Sequence, residues 1–293
     1  MIFGGGEHIP MTPEFGQIPI PPKLLTIGGS DSGGAAGVQA DLKTWALLGM
    51  YGMSVLTVVT AQNSMAVTAV HPLPPAFVRT QLDAVFADYG QTGDGIVAVK
   101  TGFIGRVELI HAIANGLMGW HVPYLVVDPV LVNHRGESMF SPDVTEAYRT
   151  HLLPHAFLIT PNWREAALLA DLSPERMLQM GVRGIETAVS HLRSLTPHHI
   201  LITGFPLDDQ VMDIYANQHT ITPLTTPKIP TENRHGSGDT LSAAICAFLA
   251  QGHDITTALQ KARHFTNRAL AAAAHWQLGQ GHGPLAILPF LIR

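Results

Sequence analysis

The run from Arg234 to Ala244, RHGSGDTLSAA, places two glycines and small hydroxyl residues directly before an alanine-rich helical segment. A helix that begins in this way directs unpaired backbone N–H groups and the positive end of its dipole at one point, where phosphate can bind. Asp239 falls in the first turn of this predicted helix. Because a carboxylate repels phosphate, its chemical use there is to take a proton from a hydroxyl group that attacks phosphorus. The alternative is that Gly236 and Gly238 only shape a loop and Asp239 only stabilises the helix start.

Small or polar residues also follow the first two predicted strands. The first strand leads into GGSDSGGAAG (28–37), where so many small residues let a ligand approach the backbone closely. Asp41 comes about one turn into the next helix. It is either a residue that contacts the ligand or a solvated acid on the helix surface. Gln62, in TAQNS (60–64) after the second strand, carries a planar amide suited to a heteroaromatic ring, although a plain turn is the alternative.

Carboxylates follow two further predicted strands. Asp128 ends the first of these in VVDPV (126–130), and kinases hold Mg²⁺ through one or two carboxylates and water. Glu165 belongs to TPNWRE (160–165), in which Asn162 and Glu165 have the spacing of a helix capping box. Glu165 therefore serves as a cap, orients metal-bound water, or does both. Together the clusters favour phosphoryl transfer from a nucleotide, since binding without turnover explains a phosphate site but not Asp239.

Composition limits the other classes of function. Of 293 residues, 46% are hydrophobic and 13% charged, which excludes a disordered chain and predicts a well-buried sheet. The net charge of −5 argues against a general nucleic-acid binder. Cys246 is the single cysteine, so an internal disulfide and a multi-cysteine zinc site are excluded, and we expect a packed core thiol. Residues 1–22 lack the features of a secretion signal and no apolar run is long enough to span a bilayer, so we expect a cytoplasmic protein without a membrane partner.

Strands alternate with helices from Lys23 onward, which predicts a central, mostly parallel α/β sheet with helices on both faces. Ligands bind such sheets beyond the carboxyl ends of the strands, where the polar clusters fall. We expect residues 1–22 to be a poorly ordered extension and residues 23–293 to form one domain. The predicted strands cover 24–28, 54–61, 96–99, 124–127, 157–159, 200–203 and, as an edge hairpin, 211–216 and 220–224. The predicted helices cover 37–48, 75–87, 107–118, 142–150, 163–172, 185–195, 240–251 and 255–274.

In this order the motifs resemble those of the hydroxymethylpyrimidine/phosphomethylpyrimidine kinases of thiamine biosynthesis, in the ribokinase-like superfamily. The resemblance covers about Leu24 to Leu285 and also includes LTIGGSD (25–31), QADLKT (39–44) and GQGHGP (279–284). It implies a ribokinase-like three-layer α/β/α fold and ATP-dependent phosphorylation of 4-amino-5-hydroxymethyl-2-methylpyrimidine. It further implies use of Mg²⁺, a homodimer and, in many members, a second phosphorylation of the monophosphate.

The resemblance also implies a role for each matching residue. Those that hold the aminopyrimidine are Gly29, Asp41, Gln62, Phe103 and Val130. Those that serve the metal and the phosphates are Asp128 and Glu165, with Asn162 and Thr203 on the nucleotide side. Those that form the anion hole around the transferred phosphoryl group are Gly236, Ser237 and Gly238, beside Asp239 as the base.

Three departures from the family's pattern leave alternatives open. Asp239 stands where these kinases usually carry cysteine and where ribokinases and many pyridoxal kinases carry aspartate, so a pyridoxal or pyridoxine kinase is one alternative. Thr203 stands where family members tend to carry lysine. Without that cation the second phosphorylation is open, and a pyrimidine-binding protein without catalysis is a further alternative. The run SGGAAG (32–37) differs in order from the usual one, which predicts a shifted pocket loop.

Overall fold

A computed structural model describes residues 19–133, 135–196 and 198–288. Residues 1–18 of the predicted extension lie outside these ranges, so its poor order stays a prediction. The described residues form one nine-stranded sheet in the order β3-β2-β1-β4-β5-β6-β7-β8-β9. Its strands are β1 (Lys23–Asp31), β2 (Tyr51–Gln62), β3 (Val67–Pro72), β4 (Ile96–Thr101), β5 (Tyr124–Val127), β6 (Leu158–Ile159), β7 (His199–Leu207), β8 (Gln210–Ala216) and β9 (Ile221–Pro227).

The six strands β2, β1, β4, β5, β6 and β7 run parallel to one another, and β3, β8 and β9 add antiparallel edges. The carboxyl ends of β1, β2, β4, β5, β6 and β7 therefore lie at one edge of the sheet. Strands β8 and β9 lie beyond β7 in the sheet. The pairing of Val211 with Thr226 shows that the start of β8 and the end of β9 lie at this same edge. The predicted mostly parallel sheet and its edge hairpin are confirmed.

Helices cover both faces of this sheet. They are α1 (Gly37–Leu47), α2 (Pro75–Tyr89), α3 (Val107–Leu117), α4 (Pro142–Ala147), α5 (Trp163–Leu169), α6 (Pro174–Met180), α7 (Val182–Leu195), α8 (Ser237–Ala250) and α9 (Ile255–Ala272). Adjacent residues of one strand enter different cores: Leu24 packs with α1, α8 and α9, whereas Leu25 packs with α2 to α7. This alternation is what a sheet between two helical layers requires. Cys246 is buried in the first core, as predicted.

The structure differs from the predicted elements at several points. Strand β3 was not predicted, because its side chains are exposed along most of the strand and only pairing with β2 defines it. Helix α6 was not predicted either; it is short and begins at a Ser173 cap. The predicted helix over 142–150 ends at Ala147 and continues as a π turn, Tyr148–Leu152. Among the described residues no helix is long and apolar enough to cross a membrane.

Candidate active site

Helix α8 begins after a glycine that no other residue could replace without strain. Gly236 has a φ of +82°, and a Cβ there would lie 1.9 Å from the carbonyl oxygen of Ala35. Glycine thus lets this loop pack against the loop that follows β1. No side chain caps α8 among the described residues, and the N–H of Ser237 donates to the carbonyl oxygen of Arg234 (3.1 Å). The N–H groups of Gly238 and Asp239 remain for an anion.

Asp239 is the third residue of α8, so the predicted first-turn position holds although the helix begins three residues before Thr240. Its side chain is 16% exposed, and Oδ1 lies 3.2 Å from Nζ of Lys100. Lys100 is the penultimate residue of β4 and is fully buried, and its Nζ also lies 3.1 Å from Oδ2 of Asp41. The sequence offered a signal for Lys100, namely a charged residue at the end of the apolar run Ile96–Val99, but it was not predicted as a site residue.

Asp41 lies beneath the site and is not the solvated surface acid considered above. It is 1% exposed, and its Oδ2 accepts a hydrogen bond from the Thr26 hydroxyl group at 2.6 Å. Its Oδ1 is buried without a hydrogen-bond partner among the described residues. Burial raises the pKa of Asp41 to about 7, although Lys100 and Thr26 lower it. Burial lowers the pKa of Lys100, but the surrounding carboxylates raise it by more than burial lowers it. The net shift is upward, so Lys100 stays protonated.

Asp128 lies against the first turn of α8. Ser242 of that helix donates a hydrogen bond to Oδ2 of Asp128 at 3.1 Å, and a Cβ on Gly238 would lie 3.8 Å from the same oxygen. The backbone N–H of Asp128 donates to the carbonyl oxygen of Thr101, which keeps the carboxyl ends of β5 and β4 together. The fold thus brings the predicted metal carboxylate to the predicted anion site.

Glu165 forms the predicted capping box. The Asn162 side chain accepts the N–H groups of Arg164 (2.9 Å) and Glu165 (3.1 Å), and Oε2 of Glu165 accepts the N–H of Asn162 (2.9 Å). Oε1 accepts the N–H of Leu131 at 2.9 Å, which ties the loop after β5 to α5. Both carboxylate oxygens are therefore engaged by backbone groups, and the metal role stays a prediction.

Asp128 and Glu165 together suit a divalent cation. Burial raises the pKa of each to about 7. Glu165 raises the pKa of Asp128 further, and Asp239 raises the pKa of both. Two buried carboxylates that repel one another are stabilised by a cation. In the described part of the chain no group of three metal-binding side chains occurs. The donor set fits Mg²⁺, which usually takes one or two carboxylates and completes its shell with water and phosphate oxygens.

Residues predicted to hold the pyrimidine gather at the ends of β1 and β2. A Cβ on Gly29 would lie 3.0 Å from the Val58 side chain and 3.5 Å from the Phe103 ring, so these residues are in contact. The Phe103 ring lies 5.4 Å from that of Phe140. Gln62 accepts a hydrogen bond from Thr60, whose hydroxyl group also donates to Ser30. Apolar side chains therefore surround Gly29 and an amide lies at the end of β2, and the role of these residues in holding the pyrimidine stays a prediction.

Val130, the last residue predicted for this pocket, lies in the loop between Asp128 and Leu131, and its φ of +41° is unusual for a β-branched residue. This backbone bends the chain immediately after the Asp128 carboxylate. The role of Val130 in the pocket stays a prediction.

A hydrogen-bonded link that was not predicted joins the pocket to the anion site. Nε2 of His235, the residue before Gly236, lies 2.9 Å from the Gln62 amide nitrogen and 3.5 Å from Oδ2 of Asp31. Asp31 also accepts three backbone N–H groups of the loop 33–36. Burial raises the pKa of Asp31, but His235 and these N–H groups lower it to about 2. Asp31 thus shapes the loop whose shift was predicted; the shift itself is untested.

Thr203, in the middle of β7, and Asn162, three residues after β6, lie side by side. The N–H of Thr203 donates to the carbonyl oxygen of Pro161 at 2.9 Å, and Thr203 forms an isolated parallel bridge with Asn162. Near the same edge, α9 and β9 enclose a cleft of about 390 Å³ lined by polar and basic side chains. Its lining consists of Thr226, Gln260, Arg263, His264, Asn267, Arg268 and Ala271.

Comparison with known proteins identifies the family. The model of the phosphomethylpyrimidine kinase family matches residues 31–286. The chain belongs to this family. A hydroxymethylpyrimidine/phosphomethylpyrimidine kinase of Rhizobium meliloti (strain 1021) is 41% identical over 262 residues, which span 89% of this chain and 95% of that protein. The family membership and the kinase class expected from the motifs are confirmed.

Solved structures of phosphomethylpyrimidine kinases and pyridoxal kinases share the fold. A phosphomethylpyrimidine kinase from Clostridium difficile 630 is 34% identical with a TM-score of 0.73, covering 85% of this chain and 99% of that one. A Bacillus subtilis pyridoxal kinase in an ADP complex is 32% identical with a TM-score of 0.82, covering 93% and 100%. The predicted ribokinase-like α/β fold of this phosphomethylpyrimidine kinase family member is confirmed.

Proposed function

We propose that the protein transfers a phosphoryl group from ATP to the hydroxymethyl group of 4-amino-5-hydroxymethyl-2-methylpyrimidine. The observation that carries this proposal is the Asp239 carboxylate in the first turn of α8, with Asp128 against the same turn. The name of the R. meliloti relative, matched over 95% of its length, supports the pyrimidine as the substrate class.

Asp239 acts as the general base. It accepts the proton of the substrate hydroxyl group while the hydroxyl oxygen bonds to the γ-phosphorus and the bond to the ADP oxygen breaks. The free N–H groups at the start of α8, with the positive end of the helix dipole, stabilise the negative charge on the transferred group. Gly236 lets this loop lie close to the loop after β1, and Gly238 lies against the Asp128 carboxylate.

Asp128 and Glu165 are the residues that would hold Mg²⁺, which neutralises charge on the nucleotide phosphates when it is bound. Their burial keeps bulk water from screening that charge. Asn162 forms the capping box with Glu165 and lies beside Thr203 of β7, and we place the nucleotide phosphates there. The basic cleft between α9 and β9 extends the same edge and offers room for the rest of ATP.

A pyridoxal kinase is the second candidate, because Asp239 replaces the cysteine usual in the pyrimidine kinases and the B. subtilis neighbour is a pyridoxal kinase. The two functions are separated by incubating the protein with ATP, Mg²⁺ and a panel of the pyrimidine, its monophosphate, pyridoxal and pyridoxine. We expect the highest kcat/KM for the pyrimidine, and a higher value for pyridoxal would replace our proposal. Tight pyrimidine binding without ATP consumption would identify a binding protein instead.

The second phosphorylation is tested in the same panel by mass spectrometry of the products. Thr203 brings no positive charge to the strand end, so the monophosphate and ATP have one fewer counter-charge there. We therefore expect the diphosphate to form more slowly than the monophosphate. Restoring the cation with Thr203→Lys is expected to accelerate the second step more than the first; an equal effect on both would contradict this role of residue 203.

We also propose a homodimer in which the β2–β3 edge is covered. Its exposed apolar side chains are Val59 (41%), Met65 (61%), Val67 (52%) and Val70 (51%), and the outer edge of β3 pairs with no other strand of the described residues. Light scattering of the 31.5 kDa chain at micromolar concentration checks this assembly, and a monomer would contradict it. The cytoplasmic location stays a prediction from the sequence.

A further inference from the structure

Lys100 is a buried charge with two carboxylate partners. Its side chain is 0% exposed at the end of a strand whose preceding residues are apolar. Burying an ammonium group is costly unless it is paired, and Nζ is paired with Oδ2 of Asp41 at 3.1 Å and Oδ1 of Asp239 at 3.2 Å. The lysine therefore bridges a residue of α1 and a residue of α8 across the end of β4.

The two ends of this bridge differ in their surroundings. Asp41 is 1% exposed and also accepts the Thr26 hydroxyl group, so it is the fixed end. Asp239 is 16% exposed and, among the described residues, its Oδ2 has no hydrogen-bond partner. Oδ1 of Asp239 is thus occupied by Lys100, whereas Oδ2 remains for another donor.

Gly102 leaves space for the bridge. A Cβ at this position would lie 3.2 Å from Nζ of Lys100 and 3.7 Å from Oδ1 of Asp239. A side chain there would crowd the ammonium group and would touch the carboxylate that it holds. The backbone two residues after Lys100 therefore borders the ion pair directly.

We propose that Lys100 is a positioning residue, which fixes the Asp239 carboxylate through Oδ1 and so presents Oδ2 to the hydroxyl group of the substrate. This inference rests on the proposed role of Asp239 as the base. In the reaction the hydroxyl proton passes to Oδ2 as the new O–P bond forms and the P–O bond to ADP breaks. Lys100 keeps its protons and does not touch the substrate, so its loss affects turnover rather than binding.

A double-mutant cycle of Lys100→Met and Asp239→Asn tests this role, using the alcohol that wild-type protein phosphorylates best. We expect Lys100→Met to lower kcat about 10- to 100-fold, because a misplaced catalytic group costs that much, with little change in KM. In the Asp239→Asn background the same substitution is expected to lower kcat little further, since no base remains to be positioned. An equal loss in both backgrounds would show a merely structural lysine and overturn the proposal.

Folding is controlled in two ways. Lys261→Met makes the same change at an exposed lysine and is expected to leave kcat at the wild-type value. If Lys100→Met does not fold, Asp41→Asn is compared with Asp41→Asn/Lys100→Met, in which the fully buried Asp41 carboxylate is no longer left without its cation. The same fall in kcat is expected between these two proteins, and equal kcat values would overturn the positioning role.

The bridge itself is tested without substrate by urea unfolding of the four proteins of the cycle. We expect the effects of the two substitutions on stability to be non-additive, because the side chains are in contact. Additive effects would overturn the bridge. Failure of wild-type protein to phosphorylate any alcohol in the panel would contradict the proposed function instead, and the unfolding cycle would still decide whether Lys100 holds Asp239.

Discussion

Asp239 and Glu165 occupy the same local position in two helices, and the structure uses them differently. Each is the third residue of its helix, after a strand end. Glu165 follows an asparagine cap, and both of its carboxylate oxygens accept hydrogen bonds from backbone N–H groups. Asp239 follows a glycine that offers no cap, and its carboxylate pairs with Lys100 instead. The residue at the N-cap therefore decides whether a first-turn carboxylate closes the helix or remains free for chemistry.

The two carboxylates also differ in how their charge is balanced. Lys100 supplies a full positive charge next to Asp239, whereas among the described residues Glu165 is held by backbone N–H groups and raises the pKa of Asp128. The Glu165 side of the site thus retains an unbalanced negative charge, which fits a cation arriving with the nucleotide. The contrast predicts that substitutions at the two positions fail in different ways.

The largest effect is expected from Asp239→Asn. The amide keeps the shape of the side chain but cannot take the hydroxyl proton, so kcat should fall about 1,000-fold while substrate binding is retained. Steady-state kinetics with the best alcohol substrate and calorimetric binding check this pair of outcomes. Asp88→Asn, at an exposed position on α2, is the control. A near-wild-type kcat for Asp239→Asn would show that Asp239 is not the general base.

Glu165→Gln should act on the metal rather than on the proton. Its amide oxygen can still accept one of the backbone N–H groups, so α5 is expected to remain, but the negative charge is lost. We expect the Mg²⁺ concentration for half-maximal rate to rise about 10-fold. Titration of activity with Mg²⁺ measures this. An unchanged requirement would make Glu165 a cap alone and leave Asp128 as the metal carboxylate.

The pH dependence of stability gives a third contrast. Burial raises the pKa values of Asp128 and Glu165 to about 7 in the folded protein, above their ordinary values of 3.8 and 4.5. The folded state then binds more protons than the unfolded state between about pH 4 and 7, so these groups make stability fall as pH rises through that window. Thermal unfolding in EDTA is expected to show a smaller fall for Glu165→Gln than for wild type, and equal slopes would contradict the shift at Glu165.

The smallest effect is expected from Asn162→Ala. Loss of the N-cap side chain should cost about 1 kcal/mol of unfolding free energy, measured in urea. Ser173→Ala removes the corresponding cap of α6 and is the matched control. We expect both to lose similar stability, but only Asn162→Ala to raise the KM for ATP. A KM that changes in neither variant would restrict Asn162 to capping.

Much of the site was predictable because its signals are local. The capping box of Asn162 and Glu165 spans three residues, and the glycine-framed start of α8 lies within one turn of Asp239. Strand and helix periodicities placed most elements close to their observed bounds. Edge strand β3 was not predicted because its side chains show no alternation of buried and exposed positions. The strand is defined by its pairing with β2.

The amino-acid sequence by itself determined the α/β alternation, the family and the polar clusters at the strand ends, since these depend on short-range spacing and residue type. Only the tertiary structure decided which charges meet. Lys100 lies 59 residues from Asp41 and 139 from Asp239, and His235 lies 173 residues from Gln62. Such contacts depend on the order and register of strands that are distant in sequence, which no local pattern specifies.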